Sequence, residues 1–197
     1  MKTFTKKIGL IAMVLMSALV ITSCGGSKKM DKETADRTGG FHELKLPCVD
    51  KGKSDKKYFR AASVGKSKDL ATSREKALLM TKQRLASLIQ STLKSVTERY
   101  ANEMDAGDAT EFKQTFENIT RDVVKQRLVD ITIICEKTGQ KDDGSYETYM
   151  AVEVSKDDIY NGIDKGISNN KKMETLYDRE RFRKTYEEEM AKMGEGN

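Results

Sequence analysis

Residues 70–100 carry apolar or small side chains at Leu70, Ala77, Leu78, Thr81, Leu85, Leu88, Ile89, Leu93, Val96 and Tyr100. The steps are threes and fours, so on a helix of 3.6 residues per turn these positions share one stripe. Arg74, Lys76, Lys82, Arg84, Lys94 and Glu98 fall on the opposite, solvated face. Ser67 is the expected N-cap, and Asp69 suits the positive end of the first turn. Ala71, Ala77 and Thr81 are small, which lets those turns lie close against a sheet.

The flanking segments supply that sheet. "KYFRAASVG" (57–65) is rich in aromatic and small residues, closes on Gly65 and reads as a strand. "HELKLPC" (42–48) alternates Leu44, Leu46 and Cys48 and reads as a short edge strand, the place where Pro47 is tolerated. Phe112, Phe116, Ile119 and Val123 give a second helix, with Asp108 and Glu111 spaced as a capping box. "RLVDITIICEK" (127–137) is β-branched and reads as a buried strand. "TGQKDDGS" is turn material, and "YETYMAVEVS" (146–155) alternates, so the two runs form a hairpin. A short helix is expected within "KDDIYNGIDKGIS". The charged segment "KKMETLYDRERFRKTYEEEMAKM" reads as a solvated terminal helix held by a few of Leu176, Tyr177, Phe182, Tyr186 and Met190; a partner-binding helix is the alternative. The order predicts an α+β domain: an antiparallel sheet of about three strands plus an edge strand, the long helix and a second helix on one face, and a helical C-terminal tail.

The chain begins "MKTFTKKIGLIAMVLMSALVITSC". Lys2, Lys6 and Lys7 form a positive start, and residues 8–20 an apolar run too short to span a bilayer comfortably, so this is an export signal. It ends in Ile21, Thr22, Ser23 and Cys24, which resembles a bacterial lipobox: a branched apolar residue, two small ones, then a cysteine whose thiol takes a diacylglyceryl group; the alternatives are an uncleaved anchor or a chance cysteine after an ordinary signal. In proteins of that pattern the signal is cut before the cysteine and the new amine is acylated, and two or three chains anchor where one does not. Residues 25–40, "GGSKKMDKETADRTGG", read as a tether of roughly 20–24 Å as a random coil. Gly25 stands where an inner-membrane retention aspartate is found in such lipoproteins, which favours the outer membrane, and Gly-Gly-Ser-Lys-Lys lacks the acidic mark of surface display, which favours a periplasm-facing domain. The expected division is 1–23 signal, 24–41 lipidated cysteine and tether, 42–166 α+β domain, and 167–197 charged helix.

Charge and motifs narrow the chemistry. Residues 1–23 hold three of the 36 basic residues and no acid, so the remainder carries 33 basic against 31 acidic groups, a net +2. That balance gives no electrostatic footprint for nucleic acid, and the run Lys51–Lys57 reads as a solvated loop. "VGKS" (64–67) resembles the end of a phosphate-binding loop, but Arg60 occupies the position of the required first glycine. His42 is the only histidine, so a histidine triad or multi-histidine metal site is excluded. No cofactor or metal site is expected, and "KDDGS" (141–145) lacks the spaced ligands of a calcium loop. With Cys24 used for lipid, Cys48 and Cys135 remain. An exported chain makes them disulfide candidates, with the edge strand through Cys48 beside the strand of Cys135. The other reading is a small core thiol at Cys135 and a free edge thiol at Cys48.

The stretch "FRAASVGKSKDLATSREKALLMTKQRLASLIQSTLKSV", followed later by "YMAVEV", resembles the Lpp-twenty-like lipoprotein family, over roughly residues 57–160. The N-terminal domain of the flagellar assembly protein T is similar to that family. The resemblance implies a binding or structural module on the outer membrane and supplies no catalytic residues. The resulting expectation is a non-enzymatic scaffold, held to the membrane by acyl chains on Cys24, that binds an envelope protein or cell-wall component. A surface-exposed ligand-binding lipoprotein and a glycan hydrolase working through two carboxylates are the alternatives. Cys24→Ala is expected to abolish incorporation of labelled fatty acid and to move the protein out of the membrane fraction; label retained in that variant would rule out Cys24 as the acylated residue.

Overall fold

The computed structural model describes residues 43–195. Three strands, β1 (Tyr58–Ser67), β2 (Thr132–Gln140) and β3 (Tyr146–Ser155), form an antiparallel sheet in the order β1-β3-β2. Five helices accompany them: α1 (Leu70–Ala101), α2 (Ala106–Arg127), α3 (Lys156–Ser168), α4 (Lys171–Leu176) and α5 (Arg179–Glu195). The α+β class expected from the sequence is the class found.

Helix α1 packs on β1 and β3. Alternation on β1 puts Phe59, Ala61, Ser63 and Gly65 on the buried side, opposite Val154, Val152, Met150 and Thr148 of β3. At Gly65 the helix comes closest: a Cβ built there would lie 2.2 Å from the Ser73 carbonyl oxygen and 2.4 Å from the Ala77 nitrogen. The same seam carries a chain of hydroxyl hydrogen bonds. The Ser73 hydroxyl donates to the Gly65 carbonyl at 3.0 Å and lies 2.9 Å from the Thr148 hydroxyl, which in turn meets Thr138 of β2 at 3.0 Å. The second half of α1 carries α2 and α5. Tyr100, Phe112, Phe116 and Phe182 pack there with ring centroids 5.0–5.5 Å apart. Helix α3 approaches α2 closely, because Gly162 faces Val123 and Gly166 faces Ile119.

Several boundaries depart from the sequence expectation. Ser67 does not cap α1; it ends β1, and the Asp69 carboxylate accepts from the Thr72 N–H at 2.8 Å as the cap. Helix α2 starts at Ala106 after a tight reversal, so Asp108 lies inside the first turn and forms no capping box with Glu111. Residues 43–46 form no strand, because the chain turns at Pro47 and Cys48, the latter at φ +63°, the left-handed region a side chain disfavours. Strand β2 starts at Thr132 and is largely exposed, with Ile133 47% accessible; its β-branched residues serve a sheet edge. The terminal segment is split into α4 and α5, and α5 is a largely solvated helix held, as expected, by a few residues: Phe182, Tyr186 and Met190, which join the common core.

Replacing Gly65 by alanine forces α1 off the sheet and is expected to cost about 1–3 kcal/mol, the range for overpacking a close contact. Urea unfolding measures it; a loss under about 0.5 kcal/mol, the range of a neutral surface change, would show that the seam is loose.

Candidate functional site: a disulfide-pinned strap and two surface pockets

The lipobox residues Ile21, Thr22 and Ser23, the acylation candidate Cys24, and His42 lie outside the described residues. Cys48 and Cys135, also singled out from sequence, are joined as a disulfide with Cα atoms 5.6 Å apart. Cys48 is reached through a turn, not through the edge strand expected for residues 42–48.

The bond anchors a strap, residues 44–57, on the sheet face that α1 leaves open. It starts at β2, where Cys135 pairs with Ala151 of β3, and reaches β1, where Gly52 sits so close to Ala62 that a Cβ would lie 2.4 Å from the alanine methyl. At the β1 edge the Ser54 hydroxyl accepts from the Arg60 N–H at 2.9 Å and donates to the Arg60 carbonyl at 3.3 Å. Arg84 of α1 donates to the next outward carbonyl, Ala62, at 2.9 Å. These contacts occupy backbone groups that a bare edge strand would offer to another chain.

Charge locks the strap's far end. Arg60 forks between Asp55 at 2.6 Å and Glu153 at 2.8 Å. Asp55 also accepts from the Lys57 and Tyr58 N–H groups at 2.8 and 2.9 Å. Burial pushes the Asp55 carboxyl up, but these N–H groups and the Arg60 guanidinium outweigh it and hold the group below the usual carboxylate range. The Asp55 contribution to stability is therefore present above the unfolded pKa and lost as pH falls through the folded one. On the same open face, Lys66 at 2.7 Å and Lys141 at 3.4 Å flank Glu147, and the Tyr149 hydroxyl donates to it at 2.9 Å. The Lys66 ammonium, then the Tyr149 hydroxyl, keep Glu147 ionised below its ordinary range.

Cavities open on the helical side among the described residues. One, about 350 Å³, lies between α1 and α2 over Leu93 and Phe116. Its rim carries two acid–base pairs, Lys94 with Glu98 at 3.9 Å and Arg121 with Glu117 at 2.9 Å. Each rim carboxylate thus has a cation one helical turn away. The second, about 270 Å³, lies between the start of α3 and α5 and is lined by Lys56, Lys156, Tyr160, Arg183 and Tyr186. Lys156 is 2% exposed, and its ammonium donates to the Met190 carbonyl at 3.1 Å. Desolvation holds that amine below the usual lysine range. Burial likewise pushes the Tyr186 hydroxyl well above the usual tyrosine range, so it stays protonated and donates to the Lys156 carbonyl at 2.7 Å.

Nothing in the sequence marks Lys156. It opens "KDDIY" like any solvated helix start, and only the return of α5 buries it. The Arg60–Asp55–Glu153 network was equally hidden: Asp55 lies only five residues from Arg60, but Glu153 comes from the far strand of the hairpin, 93 residues away. Among the described residues, no cluster of three or more histidine, cysteine or acidic side chains has metal-binding geometry, and no helix is long and apolar enough to cross a membrane. Compared with family models, curated proteins and solved structures, the chain matches none.

The strap's staple closes a loop with a sequence separation of 87. Replacing both cysteines by alanine is expected to remove about 4–5 kcal/mol by the chain-entropy account of loop closure. Wild-type protein unfolded in urea with reductant should then reach the midpoint of the double variant. Identical midpoints for oxidised and reduced wild type would show that the bond does not contribute.

Proposed function

We propose that this chain is a lipid-anchored outer-membrane lipoprotein of the Lpp-twenty-like kind, whose periplasm-facing α+β domain serves as a scaffold for an envelope protein or cell-wall partner. The observation that carries the reading is the pinned strap. A tether leading from Cys24 enters the domain at residue 44, and four residues later the chain is bonded through Cys48 to Cys135. Tension on such a tether passes into β2 of the sheet before it can peel the N-terminal segment away. A protein bond of this kind also belongs to an oxidising compartment, in line with an export signal. The order strand, long helix, helix and hairpin agrees with what the family resemblance implies.

Protease treatment of intact cells, then of cells with the outer membrane opened, tests the placement. Protection that ends on opening is the expected result, and in-cell crosslinking from the exposed domain should then recover a defined envelope partner. Cleavage on intact cells would replace this reading by the surface-exposed, ligand-binding one. A protected domain that yields no crosslinked partner would remove the scaffold role.

A further inference from the structure

The Lys156 ammonium has three N–H groups, and the structure gives it one acceptor, the Met190 carbonyl at 3.1 Å. Its remaining neighbour of note is the Phe59 ring, with the centroid 5.3 Å away. Among the described residues Lys156 forms no ion pair; Asp55 acts on it only from a distance. A buried cation left in this state carries an uncompensated desolvation cost.

The cavity beside it is built in the same sense. Lys56 and Arg183 bring two further cations to its lining, against the acids Asp157 and Glu187. Glu187 is already engaged with Arg183 at 2.9 Å, and the Arg183 guanidinium lies over the Tyr160 ring at 5.5 Å. Helix α3, 13 residues long, begins at Lys156, so its positive end adjoins the cavity. Three cations from separate segments, one of them buried and short of acceptors, suit an oxyanion with several diverging oxygens, for which lysines act as point charges. The volume, about 270 Å³, exceeds what a bare oxyanion needs and leaves room for the group that bears it.

We propose that this cavity binds a phosphate group, with the Lys156 ammonium as the buried contact and Lys56 and Arg183 as contacts at the rim. The phosphate is that of a soluble ester or of a lipid headgroup. This inference does not depend on the scaffold reading.

The test is a titration of the full chain, in detergent micelles, with inorganic phosphate. The lysine Cε signals are followed by NMR and the melting temperature is recorded beside a chloride control of equal ionic strength. The Lys156 signal should move saturably and the melting temperature rise. Because an adjacent anion favours the charged amine, the Lys156 titration should also shift upward on binding. Lys156→Met retains the apolar stem over Phe59 and should weaken phosphate binding by roughly tenfold or more, the loss for a hydrogen bond to a charged group. Lys56→Gln lies on the exposed rim and cannot disturb the core; it should weaken binding about two- to threefold, as for an exposed charge. A Lys156 signal that moves when phosphatidic acid is added to the micelles assigns a lipid source, and one that moves only with dissolved phosphate assigns a soluble ester. A Lys156 signal unmoved by phosphate in either form, or equal affinity in wild type and both variants, would overturn the proposal.

Discussion

Contact between Gly65 and helix α1 is the constraint on which the architecture rests. Without a Cβ at residue 65 the helix backbone reaches the strand itself, and Ser73 places its hydroxyl between the layers. That hydroxyl would be costly to bury alone, but Thr148 and Thr138 continue the hydrogen-bond chain across β3 to β2. Position along the helix is thus set by polar groups, while Phe59, Leu85 and Val152 supply burial. A helix of 32 residues is about 48 Å long at 1.5 Å per residue, whereas a ten-residue strand reaches about 33 Å. The helix outruns its sheet, and Leu93, Val96 and Tyr100 have to be covered by other elements.

Helices α2 and α5 supply that cover, and Phe182 is where they meet. Its ring lies 5.4 Å from those of Tyr100, Phe116 and Tyr177, and 6.3 Å from that of Tyr160. One side chain therefore joins α1, α2, α3 and α5. Tyr100 adds a polar tie, since its hydroxyl accepts from the Asp178 N–H at 2.8 Å, just before α5 begins. Aromatic groups of this kind bury large area and still satisfy a hydroxyl. The charged C-terminal segment is held by few residues, but those few close the core.

Most of the elements were legible in the chain because their patterns are periodic. The stripe of α1, the Phe112–Phe116 stripe of α2 and the β2–β3 hairpin each repeat with the period of the structure they form. What the pattern could not give was environment. The run Ile131–Cys135 reads as buried, because β-branched residues suit both a central strand and an edge; which one it became depends on how far α1 extends over the sheet. Helix α5 is the opposite case. Its charges dominate the count, yet Phe182, Tyr186 and Met190 recur every four residues, and that spacing was the available signal. Cys48 and Cys135 were visible as candidates for a pair, but the turn that presents Cys48 was not, since a left-handed backbone at a cysteine has no sequence mark. Lys156 left no trace at all, for its burial comes from a helix that returns some 30 residues later.

Lys156 also explains how the two ends of the described chain are tied together. Its backbone N–H donates to the Lys57 carbonyl at 2.9 Å, its carbonyl accepts from the Tyr186 hydroxyl at 2.7 Å, and its ammonium reaches the Met190 carbonyl at 3.1 Å. The first bond holds the end of the strap and the other two hold α5. At the strap's opposite end, Cys48 is fastened to β2. The strap is therefore held at both ends, covalently beside β2 and by hydrogen bonds beside α3, with the Arg60 fork between them. Under a pull from the N-terminal side, entering at residue 44, the covalent attachment at Cys48 bears the load and the hydrogen-bonded junction at Lys156 lies behind it.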